Sequence, residues 1–280
     1  MIKKYDKLLN LNNTISKDLF DSVEYPWDVL PNIKNYILEV IPTLGDEYIK
    51  LKEDVYIHKS VQIDESAHID GPTIIDENSV IRHCAYIRGS VIIGKNCVIG
   101  NSTEVKNSIL FDGVACPHFN YIGDSILGSK AHTGAGVILS NVKSDKTNIF
   151  VRDNDNFIDT KLRKMGSIIG NNVEIGCNSV ICPGTIINSN VNIYPLTMVR
   201  GVIPENVIVK SMTDKKMMRK ISQLNLIAGM TGVSKQQLGD AAKKSESFGL
   251  GLDDGYFTTT WPDFFHRNAI LDAYLQSIGA

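Results

Sequence analysis

No stretch of 18 consecutive apolar residues occurs in the 280-residue chain, so no membrane-spanning helix is expected. The opening MIKKYDKLLNLNN lacks the apolar core and small-residue cleavage site of a secretory signal, which makes a cytoplasmic location the expectation. An excess of charge is also missing. With a net charge of −2, nothing global favours nucleic acid or an acidic membrane as partner. The five cysteines, Cys84, Cys97, Cys116, Cys177 and Cys182, form no CxxC pair. Their odd number argues against a disulfide framework, and each is expected to be an inert thiol filling a small slot.

What is present is a repeat. From Val55 the chain reads in sixes: VYIHKS, VQIDES, AHIDGP, TIIDEN, SVIRHC, AYIRGS, VIIGKN, CVIGNS, TEVKNS, ILFDGV. The third positions are Ile57, Ile63, Ile69, Ile75, Ile81, Ile87, Ile93, Ile99, Val105 and Phe111, and a second run carries Ile169, Ile175, Ile181, Ile187, Ile193 and Val199. Neither a helix nor a single long strand has this period. Short strands separated by Gly, Asn or Asp corners do, with three sixes closing a triangular coil of about 18 residues. One coil cannot hide its own apolar face, so the coils must stack. The expected fold is an all-β parallel β-helix over residues 51–210.

The flanks differ. Residues 1–50 read as short helices, with Pro26 and Pro31 at first-turn positions and Ile33, Ile37 and Val40 on one face. They are expected to cap the first coil. Asn141 to Gly166 breaks the period and reads as an inserted loop, expected on the working face. Residues 211–280 hold six of the eleven alanines, a shift in composition that suggests a helical extension. Ser234 to Gln237 resembles a capping box, and Thr260 to Asp263 a helix start.

Arg88 and Lys106 stand 18 residues apart, one coil, and both follow an inward aliphatic residue. Adjacent strands lie about 4.8 Å apart. Two cations that close repel by roughly 3 kcal/mol at an effective dielectric of about 20, less with salt. A bound phosphate would relieve this. So would flexible side chains splaying apart, or Asp70 pairing with Arg88.

The cluster RGS, TEVKNS, PHFNYIGD and TGAG, in that order between Tyr86 and Lys210, resembles the hexapeptide-repeat acyltransferases. The likeness is to the acetyltransferase domain of the bifunctional glucosamine-1-phosphate acetyltransferase/N-acetylglucosamine-1-phosphate uridyltransferases, most of all to archaeal-type sugar-1-phosphate nucleotidylyltransferases with such a domain. It implies a left-handed coil, a homotrimer with sites between protomers, acetyl-CoA as co-substrate, an amino-sugar phosphate as acceptor and a place in nucleotide-sugar biosynthesis. It also implies roles. His118 is the general base and Glu104 orients it. Arg88, Lys106, Tyr121, His132, Asn141 and Lys146 contact the sugar phosphate, and Ala135 and Cys177 line the acetyl-CoA site. The chemistry suits these groups. An amino sugar is largely ammonium at neutral pH, so a base must take a proton as the amine attacks the thioester, and imidazole has a fitting pKa. Backbone N–H groups near Gly134 to Gly136 could hold the oxyanion, and direct transfer needs no covalent enzyme intermediate.

The sequence also departs from the pattern. His132 stands where bacterial relatives carry asparagine and Val142 where they carry tyrosine, which bears on the identity of the sugar. The Gly-rich nucleotidyltransferase domain of bifunctional members has no counterpart here, so this chain is not expected to make a nucleotide sugar alone. Two other functions use the same scaffold. A γ-type carbonic anhydrase needs three zinc-binding histidines, but its HxxxxH pair is missing and no metal is expected. A non-catalytic sugar-nucleotide-binding or assembly scaffold is the other.

Overall fold

The computed structural model describes residues 8–210, apart from 13, 22, 154 and 155, together with the backbone of 217–219. It is a parallel β-helix with three walls. Sheet one runs from Tyr48–Lys52 through Val55–His58, Thr73–Ile75, Val91–Ile93, Ser108–Leu110, Ile126–Leu127, Ser167–Ile169 and Thr185–Ile187 to Val202–Ile203. Sheet two includes Val80–Ile81, Val98–Asn101, Ala115–His118, His132–Thr133 and Glu174–Ile175. Sheet three includes His68–Ile69, Tyr86–Ile87, Glu104–Lys106, Tyr121–Gly123, Ile138–Leu139, Val180–Ile181 and Met198–Val199.

The predicted third positions from Ile57 to Val105 and from Ile169 to Val199 line the interior, with Ile63 only partly buried at the start of the coil. Full burial of each such side chain contributes about 1.5–3 kcal/mol. Phe111 is the exception. Val91↔Ser108 and Ile93↔Leu110 are register partners, so this coil has 17 residues and Leu110 takes the inward place. Phe111 is buried against Phe20 on the outside instead. The missing residue is taken from the corner between sheets three and one, where Asn107 adopts φ 45°. The next coil is shortened the same way, since Leu110 pairs with Leu127.

Sheet one is apolar on both faces. Ile74, Ile92, Ile109, Ile126, Ile168 and Ile186 point outward and are buried under Leu8, Leu9, Phe20, Trp27, Leu30, Ile33 and Ile37. The helices of the amino-terminal segment, the 3-10 helices Lys17–Phe20 and Pro26–Asn32 and the α-helix Ile33–Val40, therefore cover a wall, and only the strand that follows them reaches the first coil. The strand Tyr48–Lys52 pairs antiparallel with Val55–His58, covers the free edge of the first coil and itself becomes the edge of the sheet. The insertion behaves similarly. Its hairpin, Phe150–Asp153 with Asn156–Asp159, lays Ile149 and Val151 on the same outer face.

Of the residues in the tail, Met217–Arg219 is a strand, antiparallel to Val207–Val209; the helices expected elsewhere in 211–280 lie outside the described residues. The cysteines divide. Cys97 and Cys116 are buried, and burial pushes both thiols up to about 12. Cys84 and Cys177 are exposed, so the expectation of a filled slot fails for them.

Trp27→Ala should cost about 3–5 kcal/mol in urea denaturation, because it uncovers the outer isoleucines and leaves a cavity. An unchanged midpoint would mean that the amino-terminal segment is not part of the folded core.

Candidate functional site

Alternation along sheet three puts Tyr86, Glu104, Tyr121 and Ile138 in one outward column. Arg88 and Lys106 each follow the next inward residue, Ile87 and Val105, which are partners. The two cations thus stand on adjacent coils, as the 18-residue spacing predicted. Neither is unpaired. Arg88 Nη1 donates to Glu104 Oε1 at 2.7 Å, which holds the guanidinium above its ordinary pKa. Lys106 Nζ lies 3.5 Å from Asp124 Oδ2. Asp70 pairs with Lys52 and His68 instead of Arg88.

Asp124 is nearly fully buried and organises the upper half of the group. Besides Lys106 it accepts from Asn107 Nδ2 at 2.8 Å and from Asn141 Nδ2. Asn141 Nδ2 also donates to the Tyr121 hydroxyl at 3.2 Å. Burial raises the Tyr121 phenol above its ordinary pKa, so it keeps its proton at neutral pH. Its oxygen is occupied by Asn141, and its own O–H has no acceptor among the described residues. Gly123, the register partner of Lys106, makes room for this. A Cβ there would lie 2.6 Å from Tyr121 Oη and 2.8 Å from Asn141 Nδ2.

His118 ends the strand Ala115–His118 at the neighbouring corner, just before Phe119 with φ 52°. It is exposed, and its imidazole has no hydrogen-bond partner among the described residues. Glu104, expected to orient it, is committed to Arg88. The carboxylate lies closer to the guanidinium because both face outward on sheet three, whereas His118 belongs to sheet two.

Residues 69–153 match the family model described as GMPPB C-terminal domain. Over 193 residues the chain is 41% identical to the bifunctional protein GlmU of Methanococcus maripaludis strain C7, covering 68% of this chain and 47% of that protein. Over 92 residues it is 36% identical to the bifunctional sugar-1-phosphate nucleotidylyltransferase/acetyltransferase of Sulfurisphaera tokodaii, covering 33% of this chain and 23% of that protein. These relatives support a likeness to the hexapeptide-repeat acyltransferases. The chain spans less than half the length of these two relatives. Among solved structures, the acetyltransferase domain of PglB from Neisseria gonorrhoeae FA1090 aligns over 71% of this chain and 75% of its own, at 19% identity and a TM-score of 0.35.

The remaining predicted residues divide into those near His118 and those apart from it. Ala115 is the partner of His132, and His132 of Glu174. The same offset stacks Ala135 above His118 and Cys177 above Ala135. Gly136 N–H donates to the His118 carbonyl, and a Cβ on Gly134 would lie 2.7 Å from Cys177 N. His132 faces outward on sheet two, its Nδ1 2.7 Å from Glu174 Oε2, and makes no contact with the Tyr121–Asn141 group. Lys146 sits exposed in a turn of the insertion, with no side-chain partner among the described residues. Two participants were not predicted from the sequence, Asp124 and Gly123. Asp124 lies 17 residues after the corner residue Asn107, a spacing that becomes visible only once the shortened coils are recognised.

Asp124→Asn removes the common acceptor of three donors and places an amide N–H against them. The expected loss is about 1–3 kcal/mol of stability in urea. Wild-type stability in this variant would show that the cluster is not held by that carboxylate.

Proposed function

We propose that this chain is an acetyl-CoA-dependent N-acetyltransferase whose acceptor is an amino-sugar phosphate resembling glucosamine-1-phosphate. The observation that carries the reading is the pairing of two cations on adjacent coils beside a free phenol O–H, with an exposed imidazole at the adjoining corner. These residues lie within the segment 69–153 matched by the family model, in a chain similar to proteins whose names include an acetyltransferase. Phosphate would sit at Arg88 and Lys106, and Tyr121 would donate to the sugar. The Arg88–Glu104 pair is partly exposed. Such a pair is worth about 1 kcal/mol or less, so a dianionic phosphate can compete for the guanidinium. That exchange would release Glu104 and allow it to take up the role of orienting His118.

His118 then removes a proton from the amine as nitrogen attacks the thioester carbonyl. The tetrahedral intermediate collapses to the amide, and the departing CoA thiolate is protonated. Ala135 and Cys177, stacked above His118, would form the wall along which acetyl-CoA lies. The apolar surface supports a homotrimer. Val180 and Met198, register partners on sheet three, with Leu196 at the corner beside Met198, are exposed at 39%, 48% and 80%. Contiguous apolar patches of this kind mark association surfaces. No helix among the described residues is long and apolar enough to cross a membrane.

Release of free CoA thiol should be seen with a phosphorylated amino sugar, and His118→Ala should lower the rate by roughly 10²–10⁴-fold. Arg88→Ala should raise KM for the phosphorylated acceptor more than it lowers kcat. An unchanged rate in His118→Ala would overturn the base assignment. No thiol release across a panel of amino-sugar phosphates would leave the non-catalytic scaffold as the reading. Light scattering should give three times the chain mass, falling to one in Leu196→Asp/Met198→Asp. A monomeric parent would refute the trimer.

A further inference from the structure

A second group of reactive side chains lies at the same kind of corner, lower on the coil and outside the candidate site. Ser66 and Cys84 occupy corresponding corner positions on successive coils, and Cys84 N–H donates to Ser66 Oγ at 2.9 Å. Ser66 Oγ is 2.5 Å from Asp64 Oδ1 and 2.8 Å from His83 Nδ1. His83 Nε2 is 3.3 Å from Cys84 Sγ.

Counting protons fixes the roles. The Asp64 carboxylate can only accept, so the single Ser66 hydroxyl proton goes to it. The serine oxygen must then accept from both Cys84 N–H and His83 Nδ1–H. A neutral His83 therefore leaves Nε2 without a proton, and that nitrogen faces the Cys84 thiol. This is the arrangement of an activated nucleophile: a thiol against a base, with the base held by a third group. Asp64, whose carboxyl is drawn below its usual range chiefly by the Ser66 hydroxyl, lies 3.6 Å from His83 Nδ1 and would stabilise the ring once charged. By register, Glu65 lies on the coil below, Arg82 precedes His83, and the neutral Asn101 and Ser102 lie on the coil above, with Ser102 N–H donating to the His83 carbonyl.

We propose that Cys84 is a site of thiol–disulfide exchange with low-molecular-weight disulfides, activated by His83 and oriented through Ser66 and Asp64. In the step, the thiol proton moves to His83 Nε2 and the thiolate attacks one sulfur of RS–SR. The S–S bond breaks, a mixed disulfide forms at Cys84, and the departing RS⁻ takes the proton from His83. Cys84 is exposed, so a disulfide can reach it.

Brief treatment of the full chain with dithiobis(nitrobenzoate), followed by peptide mass mapping, compares Cys84 with the exposed Cys177 in the same molecule. At mildly acid pH, Cys84 should be labelled about tenfold faster or more, since thiolate character governs the rate. His83→Gln should bring Cys84 down to the rate of Cys177, and Asp64→Asn should slow it less. Labelling of Cys84 no faster than Cys177, or unchanged in His83→Gln, would overturn the proposal.

Discussion

The structure depends on coils stacking in register around a continuous inner column of aliphatic side chains. Each coil buries its isoleucines only because the coils above and below supply the matching ones, so a displaced coil would expose its neighbours as well. Register has a consequence beyond stability. It sets side chains from distant parts of the chain about 4.8 Å apart on the outer walls. Arg88 with Lys106, Glu104 with Tyr121, and His118 with Ala135 are all neighbours for this reason. The functional surface is printed on the outside by the packing on the inside.

The three walls share one interior but differ outside, and that difference divides the labour. Sheet one carries isoleucine outward and is covered by the amino-terminal segment and the insertion. Sheet three carries Arg88, Glu104, Lys106 and Tyr121 on its lower coils and exposed apolar side chains on its upper ones. Sheet two carries paired polar groups such as His132 with Glu174. A parallel β-helix has no need for a covered wall, but outward isoleucines on six successive coils of sheet one favour covering it.

The inner column was legible in the sequence because its period is strict and its residues are nearly all Ile or Val. Phe111 leaves the column that a constant six predicts because the corners at Asn107 and Asp124 are each one residue short and shift the phase. The doublets Ile74-Ile75, Ile92-Ile93 and Ile168-Ile169 mark the covered wall, because strands buried on both faces are continuously apolar. In the candidate site, the placing of Arg88 and Lys106 on one wall followed from spacing alone. Their carboxylate partners did not, because Glu104 reaches diagonally between coils and Asp124 lies in a corner whose register depends on the shortened turn. His132 and Lys146 were assigned by resemblance, and the local partner of His132, Glu174, lies beyond the insertion in sequence.

The most direct measurement is diffraction from crystals of the chain soaked with glucosamine-1-phosphate. The phosphate is expected within ion-pair distance of both Arg88 and Lys106, with Glu104 turned away from the guanidinium and the amine directed toward His118. A phosphate bound elsewhere, with the Arg88–Glu104 pair intact, would contradict the account.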